Sequence, residues 1–248
     1  MKTLIEELTR LKLDAFAADV ERELDKYPSA REAIIGAVSS LAKAEIAARK
    51  ERSVAYRIQQ AHFGQIQTID AFDFNYDQST RKIKNRYLKL IEADMIGQGI
   101  SAMFVGGCGL GKTHLARSLG YHLCQQGHRV LFTTMARLAL HLTSSDSTGT
   151  LKGAIDHYIQ PTLLILDEVG YVGLREIESN LVFQVISTRH DKRRPFVVTT
   201  NRPFGEWNRI FHNDAIAHAI LDRLVERAEV FYLEGKSYRE THRKRINT

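Results

Sequence analysis

Apolar positions near the N-terminus recur at the intervals of one helix face. These positions, with charged residues between them, are Leu4, Leu8, Leu11, Phe16, Val20 and Leu24. The spacing predicts an amphipathic helix that ends near Pro28. Ser29 and Glu32 then form the pattern of a capping box, which predicts a second helix reaching about His62. Two such helices enclose little core, so we expect a small all-helical domain, residues 1–65, that packs on another domain or subunit.

A different pattern begins near residue 66, where short apolar runs alternate with helix-like segments. The runs are ISAMFV (100–105), RVLFTT (129–134), TLLILDE (162–168), PFVVTTN (195–201) and EVFYLEG (229–235). Nearly continuous apolar strands that alternate with helices are typical of a parallel sheet covered on both faces. The sequence therefore predicts an α/β fold, with a five-stranded parallel sheet in a three-layer αβα arrangement over residues 66–248.

Composition narrows the class of protein only in part. The 248 residues suffice for one α/β domain and a small accessory domain. No apolar run approaches the roughly 20 residues that cross a bilayer, and the N-terminus lacks a signal-peptide pattern. Cys108 and Cys124 form no disulfide or metal-binding pattern, so we expect a cytoplasmic protein without membrane attachment. The formal net charge of +6 is equally compatible with nucleic-acid binding and with a basic, soluble surface.

A glycine-rich segment, GGCGLGKT (106–113), follows the first predicted strand and precedes a predicted helix. In that context it fits the pattern GxxxxGK[ST] of the Walker A phosphate-binding loop. Backbone N–H groups of such a loop, together with the helix N-terminus, bind polyphosphate. Lys112 would supply a positive charge to the β- and γ-phosphates, and the Thr113 hydroxyl would be a ligand of Mg²⁺. The predicted ATP-binding residues are Gly106, Gly107, Cys108, Gly109, Leu110, Gly111, Lys112, Thr113 and His114.

Polar side chains end two of the other predicted strands, where ligands of open α/β sheets bind. Asp167 and Glu168 follow the apolar run TLLIL. We expect Asp167 to join Thr113 at the Mg²⁺ ion and Glu168 to orient or deprotonate the attacking water. Asn201 ends PFVVTTN, where a sensor I residue would lie if this strand inserts between the other two. An ordinary turn at Asn201 is the alternative interpretation.

Arginines late in the chain are candidates for action between subunits. Arg223 and Arg227 lie four residues apart on a predicted helix, and either side chain could reach a neighbouring subunit's γ-phosphate. We favour Arg223, and a solvated helix face is the alternative. The residues after the last predicted strand are too few for a C-terminal helical lid. We therefore expect no lid-borne sensor II arginine, and Arg239 is the nearest substitute.

The segments together resemble the IstB/DnaC-like ATPases, and within them the IstB-like proteins of insertion sequences, over nearly the whole chain. The resemblance is carried by ARKERSVAYRIQQAHFGQIQTIDAFDF, GGCGLGKTHLARSLG, TLLILDEVGYVGL, TTNRPFGEWNRIF and AIAHAILDRLVERAEVFYLEGKSYR. Two departures are conservative. Gly107 and Cys108 stand where the family pattern leads us to expect a proline or threonine, and His114 is a residue that the family tolerates after the threonine.

The resemblance implies an AAA+ fold of the initiator and helicase-loader clade and Mg²⁺-dependent ATP hydrolysis. It also implies ATP-dependent assembly into a homo-oligomer and duplex DNA binding with little sequence preference. The implied partner is a transposase, whose activity in transposition the ATPase would regulate. A replicative helicase loader, similar to DnaC, is the alternative function. A small-molecule P-loop kinase is a third interpretation, but the arginine and sensor I positions do not favour it.

Basic clusters offer several candidate DNA-binding surfaces. Those on or near predicted helices are Arg49, Lys50, Arg52 and Arg57; Arg81, Lys82, Lys84, Arg86 and Lys89; and Lys152 within a helical excursion. A tail cluster comprises Arg239, Arg243, Lys244 and Arg245. Phosphate contacts by such residues give affinity with little sequence information. The aromatic run Phe72, Phe74 and Tyr76 is predicted either to wall the adenine pocket or to pack in the core.

Overall fold

The computed structural model describes residues 1–241 and divides into two compact units. The first unit is Met1–Tyr56, and the second begins at Arg57 rather than at residue 66. The difference arises because Ala61 and Phe63 are buried in a core of the second unit. The backbone N–H of Phe132 also donates to the carbonyl oxygen of Ala61 at 2.8 Å.

Helices α1 (Lys2–Arg10), α2 (Asp14–Leu24) and the first part of α3 (Arg31–Gln60) form the N-terminal unit. The expected first helix is two helices, because Lys12 adopts a left-handed conformation with φ of 59°. Helix α3 begins two residues after the predicted Ser29 cap. Apolar side chains of α1 and α2 form a small core of Leu4, Leu8, Val20 and Leu24. No helix within residues 1–241 combines the length and apolar character needed to span a membrane.

The second unit alternates strands and helices around one parallel sheet. In chain order its further elements are α4 (Gln78–Glu92), α5 (Met95–Gln98), β1 (Ser101–Gly106), α6 (Lys112–Gln125), β2 (Val130–Thr134), α7 (Met135–Ser147), α8 (Leu151–Ile159), β3 (Leu163–Val169), α9 (Glu176–Asp191), β4 (Phe196–Thr200), α10 (Asp214–Val225), β5 (Ala228–Leu233) and α11 (Tyr238–Thr241). Short 3₁₀ turns span Ile69–Ala71 and Phe204–Arg209. Within the described residues, only the short α11 follows β5.

The sheet has the strand order β2-β3-β4-β1-β5, with every neighbouring pair parallel. Apolar cores cover both of its faces, one contributed by α7, α8, α9 and α10 and the other by α4 and α6. This three-layer αβα arrangement confirms the predicted fold class. Strand β4 lies between β1 and β3, so the sheet brings the end of PFVVTTN between the glycine-rich loop and Asp167.

A buried arginine donates hydrogen bonds to carbonyl oxygens near the N-terminal ends of β3 and β4. Arg189 is fully buried, and its guanidinium donates to the carbonyl oxygens of Tyr158 and Pro161 at 2.9 Å and of Pro195 at 2.8 Å. Pro195 immediately precedes β4, and Pro161 lies two residues before β3 begins. Hydrogen bonds from a charged donor are stronger than neutral ones, so Arg189 fixes where the two central strands begin.

Candidate functional site

The glycine-rich loop connects β1 to α6 and lies close to two other segments. Gly111 has a φ of 85°, and a Cβ atom there would lie 2.5 Å from the Phe72 ring. A Cβ at Gly109, whose φ is 76°, would overlap the Ser237 hydroxyl. The Tyr238 backbone N–H donates to the Gly109 carbonyl oxygen at 3.0 Å. Both glycines are thus required by backbone conformation and by the segments packed against the loop.

Lys112 is the first residue of α6 and folds back on the loop. Its Nζ donates to the Gly107 carbonyl oxygen at 2.6 Å. Burial lowers the pKa of Lys112, the neighbouring Cys108 and Asp167 oppose that shift, and the positive charge of Arg239 adds to it. An anion beside Nζ would offset the desolvation and favour the charged ammonium.

Asp167 is buried at the end of β3 and accepts two hydroxyl hydrogen bonds on one oxygen. Thr113 Oγ1 donates to Asp167 Oδ1 at 2.9 Å, and Thr199 Oγ1 donates to the same atom at 2.5 Å. Thr113 and Asp167 were predicted to lie together, and the structure brings them together. A carboxylate and a hydroxyl are hard oxygen donors, so this pair fits the ligand preference of Mg²⁺.

Glu168 and Asp167 differ in the exposure of their side chains, because β3 is irregular at Glu168. The pairing of β3 with β4 shifts register between Leu166 and Val169, and Glu168 has a φ of 59°. The Glu168 backbone N–H donates to Thr199 Oγ1 at 3.0 Å. As a result Asp167 is 3% exposed, whereas the Glu168 side chain is exposed. A left-handed non-glycine residue costs about 1 kcal/mol or more, and here it turns one acid inward and the next outward.

A cavity of about 270 Å³ brings the predicted hydrolytic residues together. It is lined by Cys108, Gly109, Lys112, Thr113, Glu168, Tyr171, Thr199, Asn201 and Arg239. The Asn201 Oδ1 atom is buried without a hydrogen-bond partner among the described residues. Sequence reasoning did not single out Thr199, which links Asp167 to Glu168. A polar residue inside the apolar run PFVVTTN was the signal for it.

A second cavity, of about 310 Å³, shares Gly109, Lys112, Thr113 and Arg239 with the first. Its other lining residues are Gln65, Gln67, Ala71, Phe72, Asp73, Tyr76, Thr80, Leu110, Gly111, His114, Arg117 and Tyr238. The aromatic run is therefore divided: Phe72 and Tyr76 line the cavity, whereas Phe74 is buried in the core. His114 Nε2 is hydrogen-bonded to the Thr68 carbonyl oxygen at 2.8 Å. Gly106 and Gly107 line neither cavity, although the Gly107 carbonyl holds Lys112.

The candidate finger arginines lie away from both cavities. Arg223, on α10, donates through Nη1 to the Ala219 carbonyl oxygen at 2.9 Å, and its guanidinium lies 5.0 Å from the Phe183 ring centroid. Arg227 follows the helix and pairs with Glu226 at 3.4 Å. Neither arginine lines the cavities around its own glycine-rich loop.

The basic candidates differ in how far acids already neutralise them. Arg49 and Arg52 both pair with Glu45, at 2.8 and 2.9 Å. By contrast, no carboxylate within residues 1–241 lies at ion-pair distance from Lys82 or Lys84, which are exposed on α4. The other candidates are placed as follows: Lys50 and Lys152 are exposed, Arg57 is half-buried, Arg81 donates to the Asn75 carbonyl, Arg86 pairs with Glu229, and Lys89 is exposed. The predicted tail residues Arg243, Lys244 and Arg245 lie outside the described residues.

A sheet whose acid-bearing and loop-bearing strands flank β4 is the arrangement of AAA+ P-loop ATPases, and this chain is an ATPase of that class. Among solved structures, it is similar to the DnaC helicase loader, with a TM-score of 0.56 and 19% identity over 72% of this chain and 99% of that one. It is also similar to DnaI, with a TM-score of 0.59 and 17% identity over 69% of this chain and 89% of the other. At such identities these similarities support the fold alone.

The chain belongs to the family of IstB-like ATP-binding proteins, whose family model matches residues 6–246. It is 35% identical, over 80% of its length and 78% of the relative's, to a Geobacillus stearothermophilus protein named for ATP binding in insertion sequence IS5376. It is 30% identical, over 94% of its length and 86% of the relative's, to a Pseudomonas aeruginosa protein named for ATP binding in insertion sequence IS21. The resemblance seen in the sequence motifs is thereby confirmed.

Proposed function

We propose that this protein is a Mg²⁺-dependent ATPase that assembles on duplex DNA and regulates the transposase of an insertion sequence. The observation that carries the ATPase part of the proposal is the cavity that Lys112, Glu168 and Asn201 line together. The names of the relatives associate the family with insertion sequences. ATP hydrolysis would then control how long the assembly persists on DNA.

In this proposal the loop and Lys112 hold the triphosphate of ATP. Backbone N–H groups of the loop and the N-terminus of α6 face the phosphates, and the Lys112 ammonium exchanges its bond to Gly107 for phosphate oxygens. Thr113 and Asp167 would hold Mg²⁺, which neutralises phosphate charge when bound. Arg239, which lines both cavities, would add a positive charge from the same subunit.

Glu168 and Asn201 would act on the water molecule that attacks the γ-phosphorus. The Asn201 Oδ1 atom has no partner among the described residues, so it can accept a hydrogen bond from that water. Glu168 accepts the proton as the new P–O bond forms and ADP leaves, so the products are ADP and phosphate. Thr199 holds the Glu168 backbone and the Asp167 carboxylate in their relative positions.

Arg223 would complete the site of a neighbouring subunit. It lines neither cavity of its own subunit, and an arginine supplied by a second copy stabilises transition-state charge. In the isolated chain its guanidinium rests against Phe183 and its own helix. Hydrolysis would therefore be slow until subunits assemble, and Arg227 is the second candidate for this role.

Helix α4 is the candidate DNA surface that the charges favour. Lys82 and Lys84 are exposed and unneutralised among the described residues, whereas Arg49 and Arg52 share Glu45. Contacts of lysines to phosphate give affinity that falls with salt and depends little on sequence. Such contacts match a protein that assembles along duplex DNA of any sequence.

The experiment that tests this proposal is equilibrium binding to duplex DNA at several salt concentrations, with ATP, with ADP and without nucleotide. We expect ATP to strengthen binding. In the double variant Lys82→Ala, Lys84→Ala, the slope of log affinity against log salt concentration should become less steep by about 0.9 per lost phosphate contact. Lys2→Ala with Lys192→Ala removes equal charge elsewhere and is the matched control. Absence of duplex binding in every nucleotide state would contradict the proposal, and binding to a replicative helicase would then be measured for the loader alternative.

A further inference from the structure

We infer that Gln67 and Arg117 form the subsite that recognises the adenine base, with Gln67 accepting a hydrogen bond from the 6-amino group and Arg117 donating to a ring nitrogen. This inference rests on the proposed binding of the triphosphate at the glycine-rich loop. It assigns base recognition to two residues that the sequence motifs do not include.

The position of the base follows from the two cavities. They share Gly109, Lys112 and Thr113, which would hold the phosphates, and Glu168 and Asn201 line only the smaller cavity. The γ-phosphate end therefore lies toward Glu168. The base then enters the larger cavity, where Phe72 and Tyr76 provide aromatic surface for a purine ring.

Most polar groups around the larger cavity already have partners. Thr80 Oγ1 donates to the Phe74 carbonyl oxygen at 3.0 Å, and Thr113 Oγ1 is bonded to Asp167. His114 Nε2 is hydrogen-bonded to Thr68. These groups are therefore engaged by the protein itself before a base arrives.

Gln67 and Arg117 are the exceptions among the lining residues with buried polar atoms. Gln67 Oε1 and Arg117 Nε are buried atoms without a hydrogen-bond partner within residues 1–241, and both residues line the larger cavity. The Arg117 guanidinium is held 4.7 Å from the Phe132 ring centroid. A buried polar atom without a partner is unfavourable, so a ligand that supplies the partner is bound more tightly.

The two free atoms are complementary to adenine. One is an acceptor and the other is a donor, and adenine presents its 6-amino donor beside ring-nitrogen acceptors. Gln67 Oε1 is closed to solvent in the structure, so contact with a base requires rotation of the terminal amide torsion, which is broad, toward the cavity. A purine without the amino group would leave Oε1 without its partner.

The decisive experiment compares the affinity of ADP with that of purine riboside diphosphate, which lacks only the 6-amino group. In the wild-type protein we expect the analogue to bind about tenfold more weakly. In Gln67→Leu the two ligands should bind equally, because the acceptor is gone. Gln65→Leu alters a neighbouring, exposed residue of the same cavity and should keep the tenfold difference.

Arg117 is tested by the same logic with 1-deaza- and 7-deaza-adenosine diphosphate, each lacking one ring-nitrogen acceptor. We expect one of the two analogues to bind the wild-type protein more weakly than ADP does. That analogue and ADP should bind Arg117→Met with equal affinity. Equal binding of ADP and purine riboside diphosphate to the wild type would overturn the inference without any variant. Competition by inorganic tripolyphosphate distinguishes failure of this inference from failure of the proposed phosphate site. If tripolyphosphate does not compete with ADP, the proposed phosphate site is wrong, and not the base subsite alone.

Discussion

The two cavities that meet at the glycine-rich loop differ in how far their polar groups are already hydrogen-bonded to one another. On the side of Glu168, hydrogen bonds join Thr113, Asp167, Thr199 and the Glu168 backbone into one network. On the side of Phe72, buried polar atoms of Gln67 and Arg117 have no partner among the described residues.

This difference indicates that the hydrolytic side, apart from Asn201 Oδ1, which has no partner within residues 1–241, is hydrogen-bonded before nucleotide binds, whereas Gln67 Oε1 and Arg117 Nε on the base side would gain partners only from the ligand. Preorganised groups stabilise a transition state without further rearrangement, which suits the chemical step. Polar groups that lack partners favour one ligand over its analogues, which suits selection. Substitutions on the two sides should therefore change different measured quantities.

The largest expected effect is on hydrolysis. Glu168→Gln removes the base while keeping side-chain size, so we expect the ATPase rate to fall by about 10²- to 10⁴-fold. The affinity for ATP should remain within about twofold, because Glu168 joins the network through its backbone and not through its side chain. Steady-state hydrolysis and equilibrium nucleotide binding measure the two quantities, with Glu206→Gln as a control outside both cavities. An unchanged rate would exclude Glu168 as the base.

Lys112→Met should act on binding. The variant loses the ammonium that the phosphates attract, and we expect ATP affinity to fall about a hundredfold, as for a lost charged hydrogen bond. Calorimetric titration with ATP measures this loss. Lys236→Met, which removes a lysine that lines neither cavity, should bind as the wild type does. Equal affinities for the two variants would place the phosphates elsewhere.

Thr199→Val tests the network between the two acids. The substitution preserves shape but removes the hydroxyl that binds both Asp167 and the Glu168 backbone. We expect the ATPase rate to fall about tenfold with little change in ATP affinity, since one buried hydrogen-bonding group is lost. Thr133→Val replaces a buried threonine on β2 of the same sheet and controls for general destabilisation. A rate like the wild type's would show that the network is dispensable.

The smallest effect is expected at Tyr76, on the base side. Its hydroxyl is hydrogen-bonded to Thr241 Oγ1 at 2.8 Å and to the Ser237 carbonyl oxygen at 3.4 Å. Tyr76→Phe keeps the aromatic surface and removes only a neutral hydroxyl, so we expect ADP affinity to fall only about twofold. Fluorescence titration with ADP measures the change. A loss as large as that of Lys112→Met would contradict this expectation, because it would show that nucleotide binding requires the Tyr76 hydroxyl.

Much of the fold could be predicted because the strands are nearly continuous apolar runs. The ends of strands β1 to β5 agree with those of the five predicted runs to within one or two residues. The break between α1 and α2 could not be predicted, because it depends on a left-handed residue at Lys12, which carries no glycine signal. The place of Ala61 and Phe63 in the sheet core was also missed, since helical periodicity does not reveal which unit a residue packs against.

The candidate site was predictable where a local motif fixes both chemistry and position. Lys112, Thr113 and Asp167 come together as the motifs predict, because the parallel strands β1 and β3 end at the same edge of the sheet, with only β4 between them. The bridging role of Thr199 depends on the register shift between β3 and β4, which no local pattern encodes. Likewise, only tertiary packing separates Phe72 and Tyr76 in the cavity from Phe74 in the core.

The most direct test of the central claim is the length distribution of particles formed on duplex DNA with ATP, with ADP and without nucleotide. The Glu168→Gln protein is measured beside the wild type. We predict particles that form on duplex DNA only with ATP and that persist longer in Glu168→Gln, because the nucleotide is retained. Particles that form equally with ADP, or no particles in any nucleotide state, would contradict an ATP-dependent assembly on DNA.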